Sequence, residues 1–165
     1  MIRTQVHPVS GRVELFLDGR PLGMERFPRA HTVCQRIGRA FGDPTYAIHG
    51  LASQPATVSY RVLSDAIRIG LPPHQVALAI GVRKSTPFSF AGRTLILRFS
   101  PLRGRLAVEA NDGRTVARGR YGLAHVEFAE YEGSLEPLLA ALAVGLAIRL
   151  LWVEASVVMI AAGAA

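Results

Sequence analysis

The fold is decided by residues 135–165, LEPLLAALAVGLAIRLLWVEASVVMIAAGAA, in which only Glu136, Arg149 and Glu154 carry a charge. A helix that is hydrophobic on all sides must be buried, either inside a protein or in a bilayer. The preceding 134 residues read as short strands and turns. We therefore predict a β-rich domain that encloses one hydrophobic helix over residues 135–152.

Local signals place the two ends of this helix. Ser134 is an N-cap residue, and Glu136 and Pro137 fit the first turn, where a negative charge and a proline are favoured. Beyond Glu154, residues 157–160 (VVMI) are largely β-branched and predict a final strand after the helix.

The charges argue against a membrane span. Residues 137–148 and 155–165 are uncharged, but each is shorter than the roughly 20 residues that cross a bilayer. Arg149 near the middle of a span would cost about 2.5–3.5 kcal/mol. Inside a barrel the same arginine could reach the mouth, where water or a partner charge satisfies it. We therefore expect a buried helix, with a tail anchor as the alternative.

Length and composition indicate one folded domain. The chain has 165 residues, of which 50% are hydrophobic and 19% charged, which excludes a disordered chain. Its net charge of +7 favours anionic partners, and both nucleic acid and acidic lipid headgroups qualify. The charge does not choose between them.

The single cysteine, Cys34, excludes an intrachain disulfide and a cysteine-based zinc site. A lone cysteine fits a reducing compartment, and the first eight residues contain no apolar run typical of a signal peptide. These features predict a cytoplasmic protein that associates peripherally with a membrane if it binds lipid.

Alternating hydrophobicity and turn residues predict most of the strands. Residues 31–41 instead have the spacing of a short amphipathic helix, with Cys34 on its apolar face. Residues 75–82 suit either a strand or a buried helix turn. The predicted strands are residues 13–17, 20–24, 46–49, 57–63, 66–69, 75–82, 88–90, 94–99, 105–110, 115–121 and 124–128.

The first hairpin turns at Asp18-Gly19, a dipeptide typical of two-residue turns. This turn places Leu15 opposite Leu22 and Val13 opposite Met24.

The second hairpin turns at Asp112-Gly113. With a two-residue loop all the small and apolar side chains face one way, whereas a three-residue loop would mix the faces. The arginines then share the opposite face. The predicted pairs are Ala110 with Thr115, Val108 with Ala117 and Leu106 with Gly119.

Two segments carry a resemblance to a known family: residues 108–117, VEANDGRTVA, and residues 136–148, EPLLAALAVGLAI. They resemble the tubby-like superfamily in the small form shared by LURP-one-related proteins and phospholipid scramblases, over about residues 88–160. The resemblance implies a twelve-stranded β-barrel around a C-terminal hydrophobic helix, and a role with lipids. It carries over no site residue, because the sequence has neither an acidic calcium-binding loop like that of scramblases nor the basic pair that grips phosphoinositides in tubby proteins.

The fold class that follows is mainly β with a central helix. It is a β-barrel or strongly curved sheet that encloses the C-terminal helix, in a single tubby-like domain over residues 1–165.

The strongest candidate site is the arginine-rich segment 93–120. It holds seven arginines against Glu109 and Asp112, a local balance of 7 − 2 = +5. The hairpin register places Arg105, Arg118 and Arg120 on one outward face. Arg105 opposite Arg120 is repulsive without an anion, which favours a bound phosphate, although the solvated side of a half-buried hairpin is also polar.

Catalytic chemistry is not indicated. The five histidines lack the spacing of metal ligands, and Cys34 on an apolar face is typical of an inert buried thiol. No nucleophile elbow, phosphate-binding glycine loop or catalytic dyad is present. We predict no enzymatic activity, no cofactor and no metal.

The sequence thus predicts a non-catalytic module that binds anionic lipid headgroups or another phosphate-bearing ligand through Arg105, Arg118 and Arg120. A nucleic-acid-binding protein using the same arginines is one alternative, but only Tyr121 is placed to stack on a base. The others are a structural or protein-interaction domain and a tail-anchored membrane protein.

Overall fold

The computed structural model describes residues 1–7, 10–27, 44–80, 85–100 and 103–163, with the backbone alone from residue 153 onward. The helix predicted over residues 31–41, with Cys34, lies outside the described residues. The elements are β1 (Ile2–His7), β2 (Arg12–Leu17), β3 (Arg20–Leu22), β4 (Met24–Phe27), β5 (Thr45–Ile48), β6 (Ala56–Arg61), β7 (Ala66–Leu71), β8 (His74–Ala79), β9 (Ser85–Phe90), β10 (Arg93–Ser100), β11 (Arg105–Ala110), β12 (Thr115–Tyr121), β13 (His125–Tyr131) and α1 (Glu136–Gly163).

The described strands form two antiparallel sheets. One has the order β3-β2-β1-β13-β12-β11-β10-β9, and the other has the order β4-β5-β6-β7-β8. Each order has two ends, so neither sheet closes on itself. The prediction of a mainly β fold with one hydrophobic helix is confirmed.

The helix α1 lies between the two sheets. It packs against β1, β2 and β13 of the larger sheet and against β6 and β7 of the smaller one. Every side chain from Leu138 to Val144 is fully buried. Sheets on both sides explain why the helix needs no polar face.

Strand β1 was not predicted, although it lies between β2 and β13 and packs on α1. Ile2, Thr4 and Val6 are buried and alternate with exposed residues, as a strand with one covered face requires. The buried threonine hides the pattern, but its hydroxyl is satisfied by both the N–H and the C=O of Val126, each at 3.1 Å.

The first hairpin has the predicted two-residue turn. Asp18 (φ 49°) and Gly19 (φ 79°) both adopt the left-handed conformation that such turns need, and Leu15 pairs with Leu22. The predicted pairing of Val13 with Met24 is wrong. Strand β3 ends at Leu22, and Met24 begins β4, which pairs with β5 in the other sheet.

The second hairpin keeps the predicted faces but not the predicted turn. Glu109, not Ala110, pairs with Thr115, which makes a three-residue loop over residues 111–113. A β-bulge then shifts the register between Val108 and Glu109, so that Val108 still pairs with Ala117. The bulge absorbs the extra loop residue and returns the hairpin to the predicted alignment.

The C-terminal helix begins within one residue of the predicted start, but Ser134 lies inside a short 3₁₀ turn (Gly133–Leu135) and not at the N-cap position, and the helix ends later than predicted. It continues to Gly163, so the end predicted at residue 152 and the strand predicted at residues 157–160 are wrong. β-Branched residues lower helix propensity by less than about 1 kcal/mol each. The alanines around them and the absence of proline after Pro137 leave nothing to end the helix earlier. Residues 74–79 are a strand, not a helix turn.

Gly145 sets how closely α1 approaches β7. A Cβ atom at this position would lie 2.5 Å from Cγ2 of Ile67. We expect Gly145→Ala to lower the free energy of unfolding by about 1–3 kcal/mol, because a packed core resists added volume. Urea denaturation measures the loss. In the Ile67→Ala background the added methyl has room, so the same change should cost less there. Equal costs in both backgrounds would contradict the close contact.

Candidate anion-binding site

Four arginines surround one alanine on the outer surface of β10, β11 and β12. Arg98 and Arg118 are the cross-strand neighbours of Ala107 on its two sides. Arg105 lies two residues before Ala107 on the same strand, and it pairs directly with Arg120. Cross-strand neighbours have Cβ atoms about 5 Å apart, so these side chains share one small area. We call Arg98, Arg105, Arg118 and Arg120 the arginine face.

Strand alternation sends these side chains outward. Leu106 and Val108 on β11 and Leu97 and Phe99 on β10 are buried, which turns the intervening residues to solvent. On β12 the bulge is needed for the same result. Val116 and Ala117 are both buried, and alternation resumes with exposed Arg118.

The arginine face borders an open groove with a volume of about 900 Å³. Arg103 from the β10–β11 turn joins Arg98, Arg105 and Arg118 along this groove. Ala107 leaves space between the longer side chains. A group of phosphate size could enter that space and meet several guanidinium groups at once.

Carboxylates neutralise only part of this charge. Arg98 pairs with Glu109 at 3.0 Å, whereas Arg118 lies 3.9 Å from Glu130 with both side chains exposed. Within the described residues no ion pair is formed by Arg105 or Arg120. Glu127 is the cross-strand neighbour of Arg120. Its negative charge weakens the positive electrostatic field there, although the two side chains form no ion pair.

The remaining arginines of segment 93–120 have other roles. Arg93 and Arg114 both bind the carboxylate of Glu132 at the opposite end of the hairpin. Their hydrogen bonds hold the pKa of Glu132 below its usual value. In the part of the chain described, Arg103 also forms no ion pair, so the uncompensated charge of the segment gathers at Arg103, Arg105 and Arg120.

The structure therefore brings the three predicted residues, Arg105, Arg118 and Arg120, onto one face. Sequence reasoning missed Arg98 and Arg103. The alternation of Leu95, Leu97 and Phe99 could have turned Arg98 outward, but the register of β10 against β11 depends on a connection that carries no Asp-Gly signal.

A second polar cluster lies inside the molecule near this face. Nε and one terminal nitrogen of Arg149 donate to the two carboxylate oxygens of Asp65 at 2.7 and 2.9 Å. The Tyr60 hydroxyl donates to the same carboxylate at 2.9 Å, and the Arg149 guanidinium lies 5.5 Å from the centre of the Phe99 ring. The Arg149 side chain is 14% exposed.

These contacts explain how α1 carries a charge in the core. Burial opposes the charge of Arg149, but the hydrogen bonds and negative charge of Asp65 outweigh it and raise the pKa of the guanidinium. Burial and the hydrogen bond to Asp65 also raise the pKa of Tyr60. The partner charge expected for Arg149 is thus Asp65.

Among the residues that the structure describes, no group of three or more His, Cys, Asp or Glu side chains could hold a metal ion. His7 contacts Glu14 at 3.2 Å. Every buried side-chain polar atom in the described ranges has a hydrogen-bond partner.

Residues Gly133–Trp152 are long and apolar enough to span a membrane by length and composition, with a mean hydropathy of 1.8. In the fold, 72% of the most apolar window is buried. A core helix and a membrane span share this composition, so the contacts of Arg149 are more informative than the hydropathy.

Comparison with protein families, with curated proteins and with solved structures finds no match to this chain.

We predict that Arg149 and Asp65 stabilise the fold as a unit. Either Arg149→Leu or Asp65→Leu should lower the free energy of unfolding by about 3 kcal/mol, because each leaves a partly buried charge without its partner. The double variant should lose much less than the sum of the two. Chemical denaturation of all four proteins gives the coupling energy, and additive losses would show that the pair is not coupled.

Proposed function

We propose that this protein is a non-catalytic binding module that recognises phosphate groups, foremost those of anionic lipid headgroups, through the arginine face. The observation that carries the proposal is the convergence of Arg98, Arg105, Arg118 and Arg120 around Ala107.

The charge balance of the face supports an anionic ligand. Arg105 and Arg120 are direct cross-strand neighbours, an arrangement that is unfavourable between like charges. A phosphate between them converts the repulsion into two charge-assisted hydrogen bonds, each stronger than one between neutral groups. Guanidinium groups also match the geometry of phosphate oxygens better than ammonium groups do.

The surroundings favour a headgroup over a nucleic acid. Bases of a single strand need exposed aromatic rings on which to stack. Tyr121 is the residue that the sequence placed for such stacking. Its ring packs edge-on against Phe99, with 4.7 Å between the ring centres. A ring held in this way is a poor stacking platform.

The tubby-like resemblance agrees with this proposal. A hydrophobic C-terminal helix enclosed by β-strands is the arrangement that the resemblance implies, and a role with lipids accompanies it. We propose on this basis that the chain is a distant relative of that superfamily, acting in the cytoplasm and at the membrane surface.

Neutralising the arginine face should weaken binding to acidic membranes. We expect Arg105→Gln with Arg120→Gln to reduce the affinity for vesicles containing phosphatidylserine by at least about tenfold, since each surface arginine contributes about 1 kcal/mol. Co-sedimentation measures the change, and titration with inositol hexakisphosphate tests a soluble phosphate ligand.

Arg20→Gln with Arg68→Gln is the matched control, because it also removes the charges of two exposed arginines. Arg68 is exposed on the outer face of the other sheet and has no ion pair within the described residues. An equal loss of vesicle affinity in this variant would show that binding depends on net charge and not on the arginine face. Binding to neither acidic vesicles nor inositol hexakisphosphate would refute the proposal, and a gel shift with single-stranded RNA that falls steeply with salt would favour nucleic acid instead.

A further inference from the structure

We propose that one end of the molecule docks on an acidic lipid membrane, with Leu63 and Leu123 entering the interfacial layer. Leu63 lies at the tip of the β6–β7 turn, and Leu123 lies in the β12–β13 turn. This inference rests on the proposed function and extends it. It names the membrane itself as the source of the phosphate groups, and it identifies the side chains that enter that membrane.

The two leucines are unusually exposed. Leu63 is 99% exposed and Leu123 is 83% exposed. Among the described residues, the only other large hydrophobic side chain of this kind is Met1. A single exposed leucine is ordinary on a protein surface, whereas two at one end of the molecule form a paired apolar tip.

Both leucines flank the buried ion pair. Leu63 precedes Asp65 by two residues, and Leu123 follows Tyr121 by two residues. Asp65 accepts hydrogen bonds from the guanidinium of Arg149, and Tyr121 packs on Phe99, whose ring centre lies 5.5 Å from the same guanidinium. One side chain thus fixes both turns, and the leucines project from the same end of the molecule.

Arginines surround this end. Arg120 lies three residues before Leu123, near the end of β12 that leads into this turn. The β10–β11 turn lies here too, since the carbonyl of Gly104 accepts a hydrogen bond from the N–H of Tyr121 at 3.0 Å. Arg103 and Arg105 flank that glycine, so the uncompensated part of the basic surface borders the leucines.

This arrangement fits a membrane surface. Apolar side chains that enter the headgroup region gain from the hydrophobic effect, while adjacent arginines bind anionic headgroups. Two separate leucine tips offer too little area for a stable contact with a second copy of the chain, which needs roughly 800 Å² on each partner. The helix α1 begins beside Tyr131, at the far end of β13 from the Leu123 turn, and reaches this end at Arg149.

Fluorescent labelling tests the insertion. In a Cys34→Ser background, Leu63→Cys, Leu123→Cys and Asn111→Cys are each labelled with an environment-sensitive fluorophore. Asn111 is exposed in the turn at the opposite end of the β11–β12 hairpin and serves as the control. With phosphatidylserine vesicles we expect blue-shifted emission from the first two labels and none from the third. A shift at Asn111 alone, or at no position while the protein is bound, would overturn the docking orientation.

Affinity measurements separate this inference from the proposed function. Leu63→Ser and Leu123→Ser should each weaken vesicle binding by about tenfold. Each variant loses the favourable free energy of transferring one leucine side chain from water into the membrane. Methionine at the same positions should restore binding, and the affinity for inositol hexakisphosphate should not change.

If the serine variants bind vesicles like the wild type while Arg105→Gln with Arg120→Gln does not, the insertion is refuted and the proposed function stands. The same holds if the wild type binds inositol hexakisphosphate but no vesicle. If the wild type binds neither acidic vesicles nor inositol hexakisphosphate, both proposals are refuted.

Discussion

A helix without a polar face needs apolar partners on every side, and over residues 138–148 the two sheets supply them. The two sheets each contribute one apolar face to α1, so the alternating strands must direct their polar residues outward. The arginine face is one result of that constraint. The packing of the strands on α1 determines where the arginine face lies. The residues that those strands turn to solvent determine its charge.

Arg149 is the point at which the core and the outer surface meet. Its guanidinium joins a turn of the smaller sheet, through Asp65, to rings of the larger sheet, Phe99 and Tyr121. Phe99 also lines the groove beside the arginine face. The residue that interrupts the apolar segment therefore fixes the two sheets against each other at the end where the basic residues gather.

Local patterns predicted the local features well. The start of α1, the turn at Asp18-Gly19 and the outward placement of Arg105, Arg118 and Arg120 follow from first-turn preferences, turn chemistry and alternation. Features that depend on distant residues were missed. Strand β1 has a threonine where the pattern expects an apolar residue, and Asp65 is separated from Arg149 by 84 residues. The bulge in the second hairpin preserves the faces while changing the loop, so face logic alone could not reveal it.

The position of α1 after all thirteen described strands has a consequence for biosynthesis. Strand β1 pairs with β13, so the larger sheet cannot be completed until almost all of the preceding chain has been made. The helix that fills the space between the sheets emerges from the ribosome later still. Until then the inner faces of both sheets have nothing to cover them, which is the condition under which nascent chains aggregate or require chaperones. The packing of both sheets therefore cannot be completed before α1, the most hydrophobic segment, has left the ribosome.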